Sequence, residues 1–258
     1  VENFKVGGLK KFGLEAEALR AANPRLIYAS ITGFGQDGPY ADRAGYDFII
    51  QGMGGIMSVT GLPDGEPGGG PMRAGVAIAD LFTGMYTCVA ILASLYAREK
   101  SGKGATIDMA LFDTQLAVMA NQASNALVSG RDPPRQGNTH PNIVPYQPFE
   151  AADQPIIIAV GNDRQFARLA EICGHPEWAG DERFSSNGAR VAHRGEIVAL
   201  VGDTIWQKPA AEWLDQLEAA GIPAGPINTL TQALSDVQAQ HRQMVRAIAG
   251  VPLVGSPV

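Results

Sequence analysis

No charged side chain occurs between Met85 and Tyr96, and a single carboxylate, Asp80, stands just ahead in a run that is otherwise small or apolar. The stretch 85–96 reads as a buried helix. It ends in Arg98-Glu99-Lys100-Ser101-Gly102-Lys103-Gly104, where cations and glycines suit a helix C-terminus. An ionised aspartate is rarely buried unless something pairs with it. Asp80 therefore admits two readings. It can cap the helix by accepting hydrogen bonds from the free N–H groups of the first turn. It can instead be a carboxylate nucleophile at the positive helix N-terminus, which would hold it ionised and aimed. Taken alone, the segment favours the cap.

The 258 residues, 45% of them hydrophobic and 18% charged, allow one large domain or two smaller ones with a sizeable core. A net charge of −6 without a long basic run argues against a nucleic-acid surface. A phosphate-bearing ligand stays open, since it needs only a few cations and N–H groups. Cys88 and Cys173 are far apart and read as reduced structural residues, which fits a cytoplasmic location. No apolar stretch reads as long enough and charge-free enough to span a membrane, and no signal peptide is recognised. None of His140, His175, His193 and His241 has a metal-ligand spacing to another His or Cys, so no metal is expected. The abrupt start at Val1-Glu2-Asn3-Phe4 and the end at Gly255-Ser256-Pro257-Val258 lead us to expect part of a longer protein.

Helix and strand patterns alternate. Residues 14–22 read as a helix ended by Asn23-Pro24. Residues 26–32 read as a buried strand broken by Gly33-Phe34-Gly35, and 47–53 as a helix. Residues 60–72 form a Gly/Pro-rich loop. Strand 106–110 and helix 111–128 follow the apolar helix. Buried strands alternating with helices predict an α/β layer structure with a mainly parallel sheet. Residues 131–138, with Pro133-Pro134 at their centre, read as a linker. Beyond it come strand 156–160 and helices 164–172, 189–206 and 210–220, the last opened by Pro209 and stopped by Gly221. A final helix and a final strand close the chain.

Several segments in order resemble the family III CoA-transferases, which also include the α-methylacyl-CoA racemases. They are Glu2-Asn3-Phe4, Lys11-Phe12-Gly13, Asn23-Pro24-Arg25-Leu26-Ile27-Tyr28, Thr32-Gly33-Phe34-Gly35, Gly45-Tyr46-Asp47, and Arg73-Ala74-Gly75-Val76 with Asp80. Gly102-Lys103-Gly104, Gly137-Asn138-Thr139-His140-Pro141, Asn162-Asp163-Arg164-Gln165-Phe166 and Gly221-Ile222-Pro223-Ala224-Gly225-Pro226 continue the series. Each piece is weak and the ordered set is strong. The resemblance implies a Rossmann-like large α/β domain over 1–134, incomplete at its N-terminus. It also implies a smaller α+β domain over 135–228 and a return to the large domain over 229–258. An interlocked homodimer is implied, with acyl-CoA and a carboxylic acid as partners, CoA as substrate, and no cofactor.

In that resemblance Asp80 matches the catalytic aspartate, so the nucleophile reading moves ahead of the cap. The implied chemistry is CoA transfer through an acyl–aspartyl anhydride. Asn3 and Phe4 match CoA-contacting positions; read alone, they are a turn residue and a core aromatic. Lys11 stands where relatives often carry an Arg that meets CoA phosphates; alone, Lys10 and Lys11 read as a surface pair. Tyr46 stands where the racemases have a His. A phenol, with an ordinary pKa of about 10, is a poor general base, so Tyr46 favours transferase over racemase. Asp47 resembles an acidic residue that shapes the site, or caps the helix ahead of Phe48-Ile49-Ile50. Arg73 could hold a carboxylate substrate, or lie on the surface. Asp163 matches a racemase acid and reads as a cap for the helix after it, while Asn138 and His140 could face the active site but read better as turn residues. A reading of another class is a non-catalytic, incompletely folded fragment, because the family's N-terminal strands supply the first CoA-binding segment.

Overall fold

Residues Tyr28–Thr32 (β1) and Thr106–Ala110 (β2) pair in parallel, with Tyr28 opposite Thr106 and Thr32 opposite Ala110, in a computed structural model that describes residues 1–257. Glu2 extends this sheet on the other side of β1. Its N–H donates to Ala29 O at 2.9 Å, and its carbonyl accepts from Ile31 N–H at 2.9 Å, in parallel register. Three parallel segments thus end on one side, at Asn3, Gly33 and Leu111. The helices of this first unit, Val1–Gly137, are Ala16–Ala22 (α1), Asp47–Met53 (α2), Ile56–Val59 (α3), Ile78–Ser101 (α4), Leu111–Val118 (α5) and Ala120–Ser129 (α6). The helix expected over 111–128 is broken, because Ala120 takes φ +44°, a left-handed conformation that ends α5.

Helix α4 runs 24 residues and stops where its sequence says it should. Gly102 takes φ +71° and donates its N–H to Arg98 O at 2.8 Å. Its packed stripe is small and polar: Ala79, Thr83 and Thr87 are buried at four-residue spacing. The two threonine hydroxyls donate to Ala79 O and Thr83 O at 2.6 and 2.7 Å, so neither is left unsatisfied. Ile50, Ala79 and Leu111 form the centre of the apolar cluster, with Ile31, Phe34 and Phe112 packed around them.

Two expectations about this segment are corrected. It is a helix but not a buried one: Leu81, Met85, Val89, Leu92 and Tyr96 are each about two-thirds exposed, because only the Ala79–Thr83–Thr87 side faces other elements. The reading that no stretch is apolar enough to span a membrane also fails. An 18-residue window of α4 has mean hydropathy 1.7, long and apolar enough to cross a bilayer by length and composition.

The second unit is Asn138–Val258. Tyr146–Glu150 (β3), Pro155–Ala159 (β4) and Ala224–Pro226 (β5) form an antiparallel sheet in that order. Arg194–Ile205 (α9) and Ala210–Ala219 (α10) pack against it, with Asp163–Ile172 (α7) against α10 and Asn187–Ala192 (α8) against α9. The core gathers Ile156 and Ile158 from the sheet with Phe166, Trp213 and Leu217 from the helices. Trp213 satisfies its buried indole by donating to Ile205 O at 2.7 Å. The single helix expected over 189–206 is two, because His193 leaves helical geometry at φ −109°, ψ 30°. The chain then forms Leu230–Ser235 (α11), Val237–His241 (α12) and an antiparallel hairpin, Val245–Ile248 (β6) with Val251–Val254 (β7), where one helix and one strand are expected.

Arg190 is fully buried at the centre of this unit. Its Nε donates to Val144 O at 2.7 Å, its Nη1 to Phe184 O at 2.8 Å and its Nη2 to Asp163 Oδ1 at 2.8 Å. The guanidinium also lies 4.3 Å from the Phe166 ring centroid. Asp163 therefore does not cap α7, as its position suggests. Asn162 does so, its Oδ1 accepting from Gln165 N–H at 2.9 Å, and Asp163 turns to Arg190. Replacing Arg190 by Ala leaves two carbonyls and a carboxylate without their donor, and should lower stability by about 3–5 kcal/mol. Asp163→Asn, at a side chain 56% exposed, should cost about 1 kcal/mol. Denaturant unfolding of the full-length protein measures both. Equal losses would place the cost in the ion pair and not in the orphaned carbonyls.

Candidate functional site

A cleft of about 590 Å³ opens where the three parallel segments end. Asn3 and Phe4 follow the Glu2 segment, Gly33 follows β1, Leu111 follows β2, and the first turns of α4 bring Asp80, Thr83 and Gly84. Ligands of parallel sheets bind outside the carboxyl ends of the strands, where the N-termini of the following helices point. The loop from Gly33 to Gly45 supplies a further wall. Its two ends touch backbone to backbone: a Cβ added to either glycine would collide with the Cα of the other. Only glycine permits that approach, and it swings Arg43, Tyr46 and Asp47 onto the cleft.

Asp80 occupies the third helical position of α4 and does not cap it; Ala77 stands at the cap position and makes no side-chain bond. The acceptor comes from another helix. Asp47 Oδ1 accepts from Ala79 N–H at 2.9 Å and, more weakly, from Asp80 N–H at 3.4 Å. Its Oδ2 accepts from Gln51 Nε2 at 2.7 Å. Gln51, fully buried, also accepts from Ala74 N–H at 2.9 Å and donates to Val76 O at 3.3 Å. Asp47 and Gln51 thereby clamp the chain that leads into α4.

This arrangement changes the electrostatics expected of Asp80. The helix N-terminus was expected to hold it ionised. Instead its pKa lies above the ordinary carboxylate value, first because partial burial disfavours the charge and second because the Asp47 carboxylate repels it. The N–H groups that would have stabilised Asp80 are already given to Asp47. What results is a carboxylate that takes no part in capping, opens onto the cleft and is made more basic by its surroundings.

Of the residues singled out from the sequence, Asn3, Phe4, Tyr46, Asp47 and Asp80 come together on the cleft. Lys11 does not line it. It sits in a 3₁₀ turn, Lys10–Phe12, with its Nζ 4.9 Å from the Phe12 ring centroid. Arg73 is also outside, its guanidinium 5.6 Å from the Phe48 ring centroid. His140 lies in the second unit, where its Nδ1 accepts from Asn142 N–H at 3.1 Å. Burial and then Arg194 push its pKa down. Cys173 is buried, its thiol pushed up to about 12 mainly by desolvation, and is inert there. Gln51, Arg43 and Lys5 were missed by the sequence reading. The Gly45-Tyr46-Asp47 segment beside Arg43 was the one available signal. Among the described residues, no three His, Cys, Asp or Glu side chains converge as a metal would need.

The sequence matches the family described as CoA-transferase family III over residues 1–257. It is 53% identical to a succinate–glutarate CoA-transferase of Agrobacterium fabrum, over 94% of this chain and 60% of that protein. It is 41% identical to an acetyl-CoA:oxalate CoA-transferase of Acetobacter aceti, over 100% of this chain and 65% of that protein. The chain thus spans less than two-thirds of either relative. The crystal structure of a CAIB/BAIF family protein from Brucella suis superposes with a TM-score of 0.81 at 52% identity, covering 99% of this chain and 67% of that one.

Asp47→Asn keeps an oxygen acceptor for the first turn of α4 but removes the charge. The Asp80 pKa should then fall toward the ordinary carboxylate value, read by carboxyl-carbon NMR titration of the full-length protein. Asp47→Ala leaves the Ala79 N–H without its acceptor and should cost about 0.5–2 kcal/mol of stability. An unmoved Asp80 titration in Asp47→Asn would leave desolvation as the sole cause of the shift.

Proposed function

The chain belongs to the family III CoA-transferases, and on that basis we propose that the full-length protein moves CoA between an acyl-CoA thioester and a carboxylic acid, with Asp80 as the nucleophile. The observation that carries this reading is the open Asp80 carboxylate on a cleft at the strand ends, freed from capping by Asp47. Asp80 attacks the thioester carbonyl and the CoA thiolate leaves, forming an acyl–aspartyl anhydride. The incoming carboxylate attacks the aspartyl carbonyl and displaces the first acid. The thiolate then attacks the new acyl group, which makes the new thioester and returns Asp80 as a carboxylate. The sheltered cleft would keep the anhydride from water.

The named substrates of the two curated relatives above include succinate, glutarate and oxalate, and we extend their dicarboxylic class to this chain. Asn3 and Phe4 would position CoA at the cleft mouth. Lys11, outside the cleft, would meet a CoA phosphate as a point charge without the bidentate fork of an arginine. The bare apolar side of α4 is consistent with burial in the interlocked homodimer that we propose for the full-length protein.

Asp80→Ala and Asp80→Asn in the full-length protein should abolish transfer, a loss of at least about a thousandfold, while circular dichroism stays native. Hydroxylamine should release the acyl group as a hydroxamate from wild type only. Near-normal turnover of Asp80→Ala would end this reading.

Tyr46 separates transfer from racemisation. With a 2-methylacyl-CoA in deuterated water and no acceptor acid, we expect little α-deuterium exchange. Fast exchange under those conditions would assign the site to racemase chemistry.

A further inference from the structure

We propose that Arg43 reads the remote carboxylate of a dicarboxylic acceptor while the near carboxylate reacts at Asp80. This rests on the transfer reading above and deepens it. The cleft is rich in negative charge: Asp42, Asp47 and Asp80 all line it, and its cations are Lys5 and Arg43. A dianionic acid entering beside them needs a fixed positive partner for the end that does not react, because a desolvated charge without one is costly.

Arg43 is built for that part. The close contact of Gly33 with Gly45 pins the loop that carries it. Its backbone N–H donates to Tyr40 O at 2.9 Å, and its guanidinium carbon lies 3.9 Å from the Tyr40 ring centroid. Tyr40 in turn meets Phe34 edge-on at 5.4 Å, and Phe34 meets Phe112 at 5.9 Å. Phe34 and Phe112 pack on the apolar cluster of this unit, so the guanidinium is held through an aromatic chain that reaches the core. A guanidinium that packs on a ring by its face keeps its in-plane N–H fork open to grip a carboxylate bidentately, and the 3.9 Å separation suits that packing. Among the described residues Arg43 has no carboxylate partner, whereas Arg25, Arg135, Arg183 and Arg190 each have one. Arg73, the cation first suspected of this role, packs on Phe48 away from the cleft. Lys5 offers only a flexible point charge.

A guanidinium also suits a CoA phosphate, so the test separates the two anions. In the full-length protein, Arg43→Ala should raise the KM for glutarate at least about tenfold. The KM for acetyl-CoA, whose acyl group carries no second carboxylate, should stay within about twofold, and the preference for glutarate over valerate should be lost. Arg43→Lys should recover only part of the glutarate KM, since it restores charge without the fork. A raised acetyl-CoA KM with an unchanged glutarate KM would assign Arg43 to a CoA phosphate and overturn the proposal. A second arm needs no turnover: glutarate and valerate are titrated calorimetrically into Asp80→Asn and into Asp80→Asn/Arg43→Ala. Removing Arg43 should weaken glutarate at least about tenfold and leave valerate unchanged. Equal glutarate binding to both variants defeats the Arg43 assignment whatever the transfer assay shows. Arg43-dependent glutarate binding in a protein that transfers nothing would defeat the transfer reading alone.

Discussion

The Asp47 carboxylate reaches from the first turn of α2 to the N–H groups of Ala79 and Asp80, and most of what distinguishes the site follows from that reach. Helix N-termini need acceptors, and the usual solution is a residue at the cap itself. Here that position is Ala77, which has none to offer. Because the acceptor comes from α2, the two helices are locked together, and Gln51 extends the lock to Ala74 and Val76. The same oxygen places negative charge beside Asp80. One interaction thus settles where α4 begins, leaves Asp80 without a structural duty, and adds to the burial that already makes its carboxylate more basic.

The parallel sheet does the complementary work. Its three segments end together, so residues far apart in sequence open onto one space: Asn3, Gly33, Leu111 and the start of α4. The glycine pair at positions 33 and 45 then folds the intervening loop over that space. A side chain at either glycine would push the loop away and carry Arg43 and Tyr46 with it.

In the second unit a buried charge organises the core in a different way. Arg190 spends its donors on two backbone carbonyls and on Asp163, so its charge is compensated where water is excluded. The pair Arg183–Asp181 shows the contrast. It is equally short and holds Asp181 down at about 2, yet it lies at the surface, where solvent screens most of its effect on stability.

Local signals in the sequence carried a large part of this. The end of α4 at Gly102, the strand 106–110, the helix 47–53 and the isolation of Asp80 ahead of an apolar run all follow from periodicity and end chemistry that act within a few residues. The ordered motifs pointed to the family. Wrong or missing were the breaks at Ala120 and His193, the exposure of α4, the partner of Asp163 and the place of Arg43. These depend on backbone conformations and contacts that no local pattern encodes. Composition and spacing by themselves determined that a carboxylate would stand at the start of a long helix. Only the tertiary structure decided that Asp47, 32 residues away along the chain, would cap that helix and leave Asp80 free, because a hydrogen bond between distant segments exists only once the sheet and its loop have brought them together.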